Sequence, residues 1–164
     1  MTQLAKPVNV IPAMDGLELT LAGTIHRIER QADAFFVRQR SARAAGDSAA
    51  AASAWGPPRE IVLLTGSHHQ QNFWVATGNA RTLEPFPFGW LVAEKMWAPV
   101  GDSFLAPPEV GQTRGAAGAW NNGCIHCHAT HGRARGSPDR AFDSRVAEFG
   151  ISCEACHGEG RTHI

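Results

Sequence analysis

The sequence contains no tyrosine and only two lysines, Lys6 and Lys95. Five tryptophans and eight phenylalanines are present, so aromatic packing depends on Trp and Phe alone. The 15 basic and 15 acidic residues cancel, and the formal net charge is zero. Because no basic patch and no block of like charge stands out, the composition argues against nucleic-acid binding and against a charged interaction tail.

Long apolar runs are also missing. No stretch approaches the roughly 18 to 20 apolar residues that a membrane-spanning helix needs. The N-terminal "MTQLAKPVNVIPAMDG" lacks the basic start, apolar middle and small-residue cleavage site of a secretory signal. A complete chain of this kind would be cytoplasmic. The chain ends seven residues after His157 with no closing element, however, and we therefore expect a piece of a longer protein.

Cysteine is absent before position 124, and all four cysteines fall in two short motifs. "NNGCIHCHATHG", residues 121–132, contains the first motif, and "GISCEACHGEG", residues 150–160, contains the second. Both have the pattern Cys-x-x-Cys-His. No cysteine is left for a separate disulfide or for a lone nucleophile. The four thiols, Cys124, Cys127, Cys153 and Cys156, therefore serve one chemical purpose.

The residues before the motifs are mostly β in pattern. "LELTLAGTIHRIER" followed by "AFFVRQR" indicates a hairpin, and "EIVLLTG" and "NFWVATG" are typical of buried strands. The Ala- and Ser-rich residues 41–56 predict a surface loop or a short helix. We interpret residues 84–111, rich in Pro and Gly, as an irregular wrapping segment with one strand, "WLVAEKMW".

Few aliphatic residues follow Trp120, too few to bury the apolar area that would offset the entropy of ordering the chain. We therefore predict an α+β, partly irregular fold of one domain. In it a β-rich part without cysteine, residues 1–119, packs on a loop-and-short-helix segment, residues 120–164. Something other than aliphatic side chains must fill that second segment.

The Cys-x-x-Cys-His pattern is the attachment signature of c-type haem. The two thiols lie about one helical turn apart and reach the vinyl groups on one edge of the porphyrin, while the following imidazole ligates the iron. The pattern predicts two haems c, with His128 and His157 as proximal iron ligands and Cys124, Cys127, Cys153 and Cys156 as thioether anchors. Covalent attachment would also order a segment that is poor in apolar side chains.

A zinc ribbon is the alternative. Two Cys-x-x-Cys knuckles separated by 25 residues would give a Cys₄ site. Such a site has no need of a histidine after the second cysteine in both copies. The knuckles also lack the short hairpins with small turn residues that zinc ribbons prefer. We therefore favour haem attachment, and a cytoplasmic zinc-binding module remains the alternative interpretation.

The distal side of each iron takes a second ligand, usually His or Met, or stays open for chemistry. His26, His68, His69, His126, His131 and His163 remain for this role. His26 lies in a strand pattern and could equally be a satisfied polar group. His68 and His69 follow a strand and point to opposite sides, so at most one faces a given iron. His126, between the thiols, should point away from the porphyrin, and His131 stays undecided.

The sequence resembles the bacterial multihaem c-type cytochromes related to the tetrahaem cytochromes of ammonia oxidation. The resemblance rests on "TGSHHQQNFW", "FGWLVAEKMW", "FLAPPE", "WNNGCIHCHATHG" and "RVAEFGISCEACHGEGRTH", in this order. It covers residues 60–164 and is specific at the haem motifs. Glu159 stands where the family usually has Pro. Members usually carry further haem motifs on either side, which again suggests that the chain is a fragment.

This resemblance implies bis-histidine irons and an electron carrier or part of one. It also implies His163 and His68 as the first candidates for distal ligands, ahead of His26, His69 and His131. The partners would be redox proteins or neighbouring haem domains, and the location would be extracytoplasmic. We predict electron transfer, with no catalytic residue assigned. The alternative within haem chemistry is an enzyme with one open haem that acts on a small nitrogen or sulfur oxyanion.

Overall fold

The structure is a computed structural model that describes residues 2–42, 54–102, 117–139 and 141–154. Ten strands lie within these ranges: β1 (Thr2–Leu4), β2 (Glu18–Leu21), β3 (Thr24–Gln31), β4 (Ala34–Ser41), β5 (Arg59–Thr65), β6 (Gln70–Ala76), β7 (Leu83–Leu91), β8 (Met96–Pro99), β9 (Ala129–Thr130) and β10 (Glu148–Phe149). The helical residues form a π-helical turn, Trp120–Cys124, that continues into the α-helix α1, Ile125–His128. No helix in the described ranges is long and apolar enough to cross a membrane.

Strands β1 to β8 form one antiparallel sheet in the order β2-β3-β4-β5-β6-β7-β8. Strand β5 carries two partners on the same edge, β4 along Arg59–Ile61 and β1 along Leu63–Thr65. Most neighbouring strands are also consecutive in the chain, and short turns connect them. Ala22 and Gly23, between β2 and β3, both have positive φ, which a two-residue hairpin turn needs to match the strand twist.

Several strand predictions are confirmed and others are wrong. "EIVLLTG" and "NFWVATG" supply β5 and β6, the central strands of the sheet. The predicted hairpin with "AFFVRQR" is present as β3 and β4, which pair as far as Gln31 and Ala34. An additional turn at Ala22–Gly23 divides the segment that the sequence pattern presented as one strand into β2 and β3. The predicted strand "WLVAEKMW" is split, because the chain turns at residues 92–95, where Lys95 has a φ of 52°. The Ala- and Ser-rich prediction falls largely outside the described residues.

The two faces of the sheet bury different clusters. The inner cluster consists of buried residues from β3 to β7 and the N-terminal segment: Ala5, Met14, Ile28, Phe35, Val37, Ile61, Leu64, Phe73, Val75, Phe86 and Phe88. The outer cluster consists of Leu63, Trp74, Leu83, Trp120, Ile125 and Ala129. Alternate side chains of a strand point to opposite faces, so β5 contributes to both clusters. The register shift between Ile61 and Leu63 brings both Ile61 and Leu64 to the inner cluster. The haem-motif helix thus belongs to the core of the outer face.

The predicted fold class is wrong for the second part of the chain. The described molecule is mostly β, with one short helix, and residues after 120 do not form a loop-and-short-helix cytochrome segment. Strand pairing extends into this segment, where β9 pairs with β10, and Arg133 bridges Arg145. The misprediction arose because a two-residue strand has no alternation to detect. Its backbone partners lie about 20 residues away, where only the folded chain brings them together.

Candidate haem-attachment site

The first motif lies on the short helix, which has two chemically different sides. Cys124 has helical backbone angles, φ −62° and ψ −31°, and leads into α1. Residues three and four apart in a helix share a side, so Cys124, Cys127 and His128 face the same way. Cys124 and His128 are half-buried and Cys127 is exposed. These two thiols and this imidazole are therefore accessible from one direction, as haem attachment requires.

The adjoining side of the helix is fully packed, and Cys124 lies at its border, because it is partly buried against the outer cluster. Asn121, Ile125 and Ala129 recur every four residues and are 0%, 0% and 2% exposed. Ile125 and Ala129 join Leu63 and Leu83 in the outer cluster. A helix of four residues is too short to be stable alone, so this burial holds it in place. The few apolar side chains of the motif segment, such as Ile125 and Ala129, therefore fix the orientation of the helix on the sheet.

Asn121 fixes the start of the helix through its side-chain amide. Its Oδ1 accepts a hydrogen bond from the Leu83 backbone N–H at 2.9 Å. Its Nδ2 donates to the Arg81 carbonyl oxygen and to Ser144 Oγ, both at 2.9 Å. Ser144 Oγ in turn donates to the Ala134 carbonyl oxygen at 2.8 Å. One buried amide thereby ties the helix to β7 and to the segment between the two motifs.

The sequence interpretation assigned no role to Asn121, although "WNNG" was among the stretches that carried the resemblance. Position 121 lies four residues before Ile125 and would be expected on the same helix side. A polar residue at such a position indicates a buried hydrogen-bonding group. That signal was available only once the helix had been placed on the sheet, because the partners of Asn121 are 23 to 40 residues away along the chain.

Gly132 permits the chain to turn back against the helix. A Cβ atom at this position would lie 2.6 Å from the Ile125 carbonyl oxygen and 2.8 Å from Ile125 Cγ1. Both distances are shorter than a real side chain tolerates. The preceding His131 has a φ of 49°, so the turn uses the left-handed region. After the motif, the "HATHG" sequence therefore turns back sharply against the helix and does not continue as an extended segment.

His128 has the chemistry of a metal-ligating imidazole. Burial is the main cause that lowers its pKa from 6.5, and the positive chain terminus adds a smaller contribution. A lowered pKa keeps the ring neutral at physiological pH, the form that binds a metal. Its Nδ1 is buried and has no hydrogen-bond partner among the described residues. Together with the two thiols beside it, this imidazole fits a covalently attached haem.

The fold brings the start of the second motif to the end of the first. Ala129 pairs with Phe149 and Thr130 with Glu148. The Gly150 N–H donates to the His128 carbonyl oxygen at 3.1 Å, and the hydroxyls of Thr130 and Ser152 are 2.6 Å apart. Cys153 follows directly and is exposed. Cys156 and His157 lie outside the described residues.

The remaining histidines are dispersed. His26 is 5% exposed and packs edge-on against Phe86 and Phe88, and its Nδ1 lies 3.2 Å from Gln39 Nε2. It belongs to the inner face of the sheet, whereas the first motif lies on the outer face. His68 and His69 are exposed in the turn between β5 and β6.

His126 and His131 are also exposed, and His163 lies outside the described residues. Within the described ranges, no three His, Cys, Asp or Glu side chains form a metal-ligating group. Within the same ranges, the structure thus brings the start of the second motif, including Cys153, to the end of the first motif.

The comparison with known protein families agrees with this geometry. Residues 109–158 match the family described as cytochrome c554 and c-prime. The matched range contains both Cys-x-x-Cys-His motifs and the β9–β10 pairing between them. No curated protein and no solved structure matches the chain. The match supports a c-type cytochrome, a class of proteins that carry covalently bound haem and transfer electrons.

Proposed function

We propose that the chain is an electron-transfer segment with two covalently attached haems, one at each motif. The observation that carries this proposal is the placement of Cys124, Cys127 and His128 on one accessible side of a helix. Burial of Ile125 and Ala129 in the outer cluster holds that helix on the sheet. Residues 120–164 form the dihaem-binding segment of this proposal, and residues 1–119 form the β-rich support.

At the first motif, residues of the chain would attach the haem, orient it and ligate its iron. Cys124 and Cys127 supply the thioether sulfurs. His128 offers Nε2 to the iron, because its Nδ1 is buried. A haem bound there supplies an iron that cycles between the ferric and ferrous states. The buried Asn121 and Ile125 keep the helix fixed during that change, which keeps the rearrangement on electron transfer small.

The second haem would be attached at Cys153 and Cys156, with His157 as proximal ligand. The hydrogen bonds that join His128 to Gly150 and Thr130 to Ser152 support a close approach of the two motifs. Closely spaced haems give electrons a short path through the segment. This arrangement favours electron transfer over a role as a single isolated haem.

The distal ligands of this proposal are histidines, with His68 and His163 as first candidates and His26, His69 and His131 as weaker ones. His68 is exposed, and its Nδ1 is 2.9 Å from Ser67 Oγ, a contact that solvent can replace. His26 would have to leave Gln39 and two phenylalanine rings. That cost makes His26 the least favourable of the described candidates.

The partners follow from the chemistry. Other redox proteins or neighbouring haem domains would deliver and accept electrons, and the protein would work in the periplasm or another extracytoplasmic compartment. Thioether formation needs reduced thiols and a dedicated attachment system, so that compartment must provide both.

The test is to export the chain to a bacterial periplasm together with the haem-attachment machinery. We expect a red protein with two haems per chain, retained under denaturing conditions, and six-coordinate spectra in both redox states. The double variant Cys124→Ala/Cys127→Ala should retain one haem, and Cys153→Ala/Cys156→Ala should retain the other.

Three results would contradict the proposal. A colourless protein containing one zinc ion would establish the zinc ribbon. A spectral shift on addition of cyanide or nitrite would show an open haem and favour the enzyme alternative. One haem per wild-type chain would remove the dihaem assignment. Each result contradicts a different part of the proposal: the presence of haem, the six-coordinate iron or the count of two haems.

A further inference from the structure

Residues 133–145, in the segment between the two motifs, form a hairpin that concentrates positive charge. They include four arginines and two aspartates, in a chain whose formal net charge is zero. Arg133 and Arg145 lie directly opposite each other, and each backbone N–H donates to the other residue's carbonyl oxygen, at 2.8 and 3.0 Å. Side chains of such a pair share a face, and like charges directly opposite each other destabilise the pairing. The hairpin therefore holds two arginines together at a cost in stability.

Asp143 is the carboxylate that the described ion pairs place among these arginines. It lies 3.5 Å from Arg81, 3.3 Å from Arg135 and 3.6 Å from Arg145. Arg81 precedes β7 and joins the hairpin because its backbone N–H donates to the Phe142 carbonyl oxygen at 2.8 Å. Three guanidinium groups offer about fifteen N–H donors, whereas one carboxylate accepts about four hydrogen bonds. Most of these donors are therefore left for solvent or for a further anion.

Arg81, Arg133, Arg135 and Arg145 are all exposed, and we refer to these four residues as the arginine face. The side chains of Arg81 and Arg145 are 61% exposed, and that of Arg135 is 48% exposed. By sequence, residues 133–145 carry a net charge of +2, and Arg81 raises it to +3. Glu60 lines the same cavity as Arg81 and Arg145 and lowers the local excess to +2. Such open side chains suit the surface of a second molecule better than a small enclosed ion.

A second arginine pair, on the sheet, shows how a purely structural pair is compensated. Arg27 in β3 lies directly opposite Arg38 in β4. Glu29 approaches these arginines at 3.3 and 3.6 Å, and Glu18 approaches Arg27 at 4.0 Å. Two carboxylates thus balance two arginines. In the part of the chain that the structure describes, the arginine face lacks this balance, so the needs of the hairpin alone do not account for its charge.

The arginine face lies beside the helix that carries the first motif. Ser144, within the hairpin, accepts a hydrogen bond through its Oγ from Asn121 Nδ2 at 2.9 Å. Asn121 belongs to the π-helical turn that leads into that helix. After the hairpin the chain returns to the motif, where the Gly150 N–H donates to the His128 carbonyl oxygen at 3.1 Å. A molecule bound to the arginine face is therefore held next to the candidate haem-attachment residues.

We propose that the arginine face docks an acidic redox protein, whose surface carboxylates pair with the four guanidinium groups. The proposal rests on the proposed function and adds the chemistry of the partner and the place where it binds. Guanidinium groups match carboxylates in geometry and can form two parallel hydrogen bonds with each. Exposed charges of this kind mainly accelerate encounter with an oppositely charged partner, which suits a carrier that must also release it. Nucleic acid is a less favourable occupant, because the chain as a whole has no excess of positive charge.

The experiment uses the chain matured with haem, and reduced flavodoxin, an acidic electron-transfer protein, as the probe. Stopped-flow absorbance gives the second-order rate constant for haem reduction at increasing ionic strength, and calorimetry gives the affinity. In the wild type, both should fall as salt is added, because salt screens exposed charges. Arg133→Gln/Arg145→Gln should lower the rate constant at low ionic strength by about tenfold and should flatten its dependence on salt.

The matched control is Arg27→Gln/Arg38→Gln, which removes the same number of charges from the compensated pair on the sheet. Its rate constant should stay close to that of the wild type. Equal losses in the two double variants would show that flavodoxin responds to net charge alone and would overturn the inference. Wild-type kinetics in Arg133→Gln/Arg145→Gln would overturn it as well.

Asp143→Asn separates docking from a structural role of the arginines. The substitution removes the carboxylate among them and raises the local positive charge by one. If the arginine face docks an acidic protein, the rate constant at low ionic strength should rise. If the arginines serve only to hold the hairpin through Asp143, the rate constant should stay unchanged or fall, and this result would contradict the proposal.

Failure of this inference is distinguishable from failure of the proposed function. A haem-containing wild type whose reduction and binding by flavodoxin ignore Arg133 and Arg145 would refute the docking face alone. A wild type without haem would refute electron transfer and with it a redox partner, even if calorimetry still showed binding that depends on these arginines. Tighter binding of a single-stranded oligonucleotide than of flavodoxin, lost in Arg133→Gln/Arg145→Gln, would assign the face to nucleic acid and overturn the inference.

Discussion

Asn121 shows how much of the candidate site depends on one uncharged residue. It is fully buried and makes three hydrogen bonds to two separate parts of the chain. A buried polar group that loses its partner costs about 1–3 kcal/mol, because water cannot replace the lost hydrogen bond. Each of its partners would become such a group if the amide were removed.

We therefore predict that Asn121→Ala lowers the free energy of unfolding by about 2–5 kcal/mol, since the Leu83 N–H, the Arg81 carbonyl and the Ser144 hydroxyl would lose their partner. Urea denaturation measures the change. The neighbouring Asn122 is exposed, so Asn122→Ala is a matched control and should change stability by less than about 0.5 kcal/mol. Equal effects of the two variants would contradict the assigned role.

His26 predicts a dependence of stability on pH. Burial lowers its pKa from 6.5, with a smaller contribution from Arg59. The unfolded chain takes up a proton near pH 6.5, but the folded chain does so only at lower pH. Stability from the neutral ring is therefore complete above pH 6.5 and is lost as pH falls through the folded-state pKa.

The corresponding variant is His26→Gln, which cannot titrate. We expect its free energy of unfolding to fall less between pH 7 and pH 5 than that of the wild type. Parallel curves for His26→Gln and the wild type would show that His26 does not titrate on unfolding.

At the scale of elements, the helix and the turn after it depend on tertiary contacts. Four α-helical residues gain too few hydrogen bonds to offset the cost of starting a helix. Ile125, 0% exposed, supplies the packing instead, and Gly132 lets the following chain approach it. The orientation of Cys124, Cys127 and His128 is thus a consequence of the outer cluster.

This argument predicts that Gly132→Ala destabilises the protein by about 1–3 kcal/mol, since the added methyl group must displace the Ile125 backbone. Thermal unfolding measures the effect. A Cβ at Gly123, in the π-helical turn of the same motif segment, meets nothing within 4 Å. Gly123→Ala is therefore the control and should be neutral or slightly stabilising, and a loss of similar size in both variants would oppose the packing explanation.

At the scale of the whole molecule, one sheet supports two clusters. The inner cluster fills one face and the outer cluster, which includes the helix, covers the other. Strands β5, β6 and β7 contribute to both, so the motif segment shares the central strands with the main core. We infer that residues 117–139 unfold together with the sheet.

Native-state hydrogen exchange tests this cooperativity. The amides of Leu83 and Ile125 should exchange with the same free energy and the same denaturant dependence as those of the central strand β6. Amides in the exposed turn at His68 and His69 should exchange with much lower free energies. Earlier opening of Leu83 and Ile125 would indicate that the motif segment unfolds as a separate unit.

The extent to which the site was predictable differs between its parts. The candidate attachment residues could be named because Cys-x-x-Cys-His is a local pattern, five residues long, and two copies of it are present. Strands β5 and β6 could be predicted because apolar runs between turn residues are also local. The division of "WLVAEKMW" into the ends of two strands could not be predicted, because nothing in the sequence indicates the left-handed backbone conformation of Lys95.

The sequence by itself therefore determined the chemistry: two pairs of thiols, each followed by an imidazole, in a chain whose other residues supply β-strands. Only the tertiary structure decided how that chemistry is presented. Asn121 bonds to Leu83, 38 positions away, and Ala129 pairs with Phe149, 20 positions away. The physical reason is that helix and strand patterns arise from neighbouring residues, whereas burial, hydrogen-bond partners and cavities arise from surfaces that meet only when the chain folds.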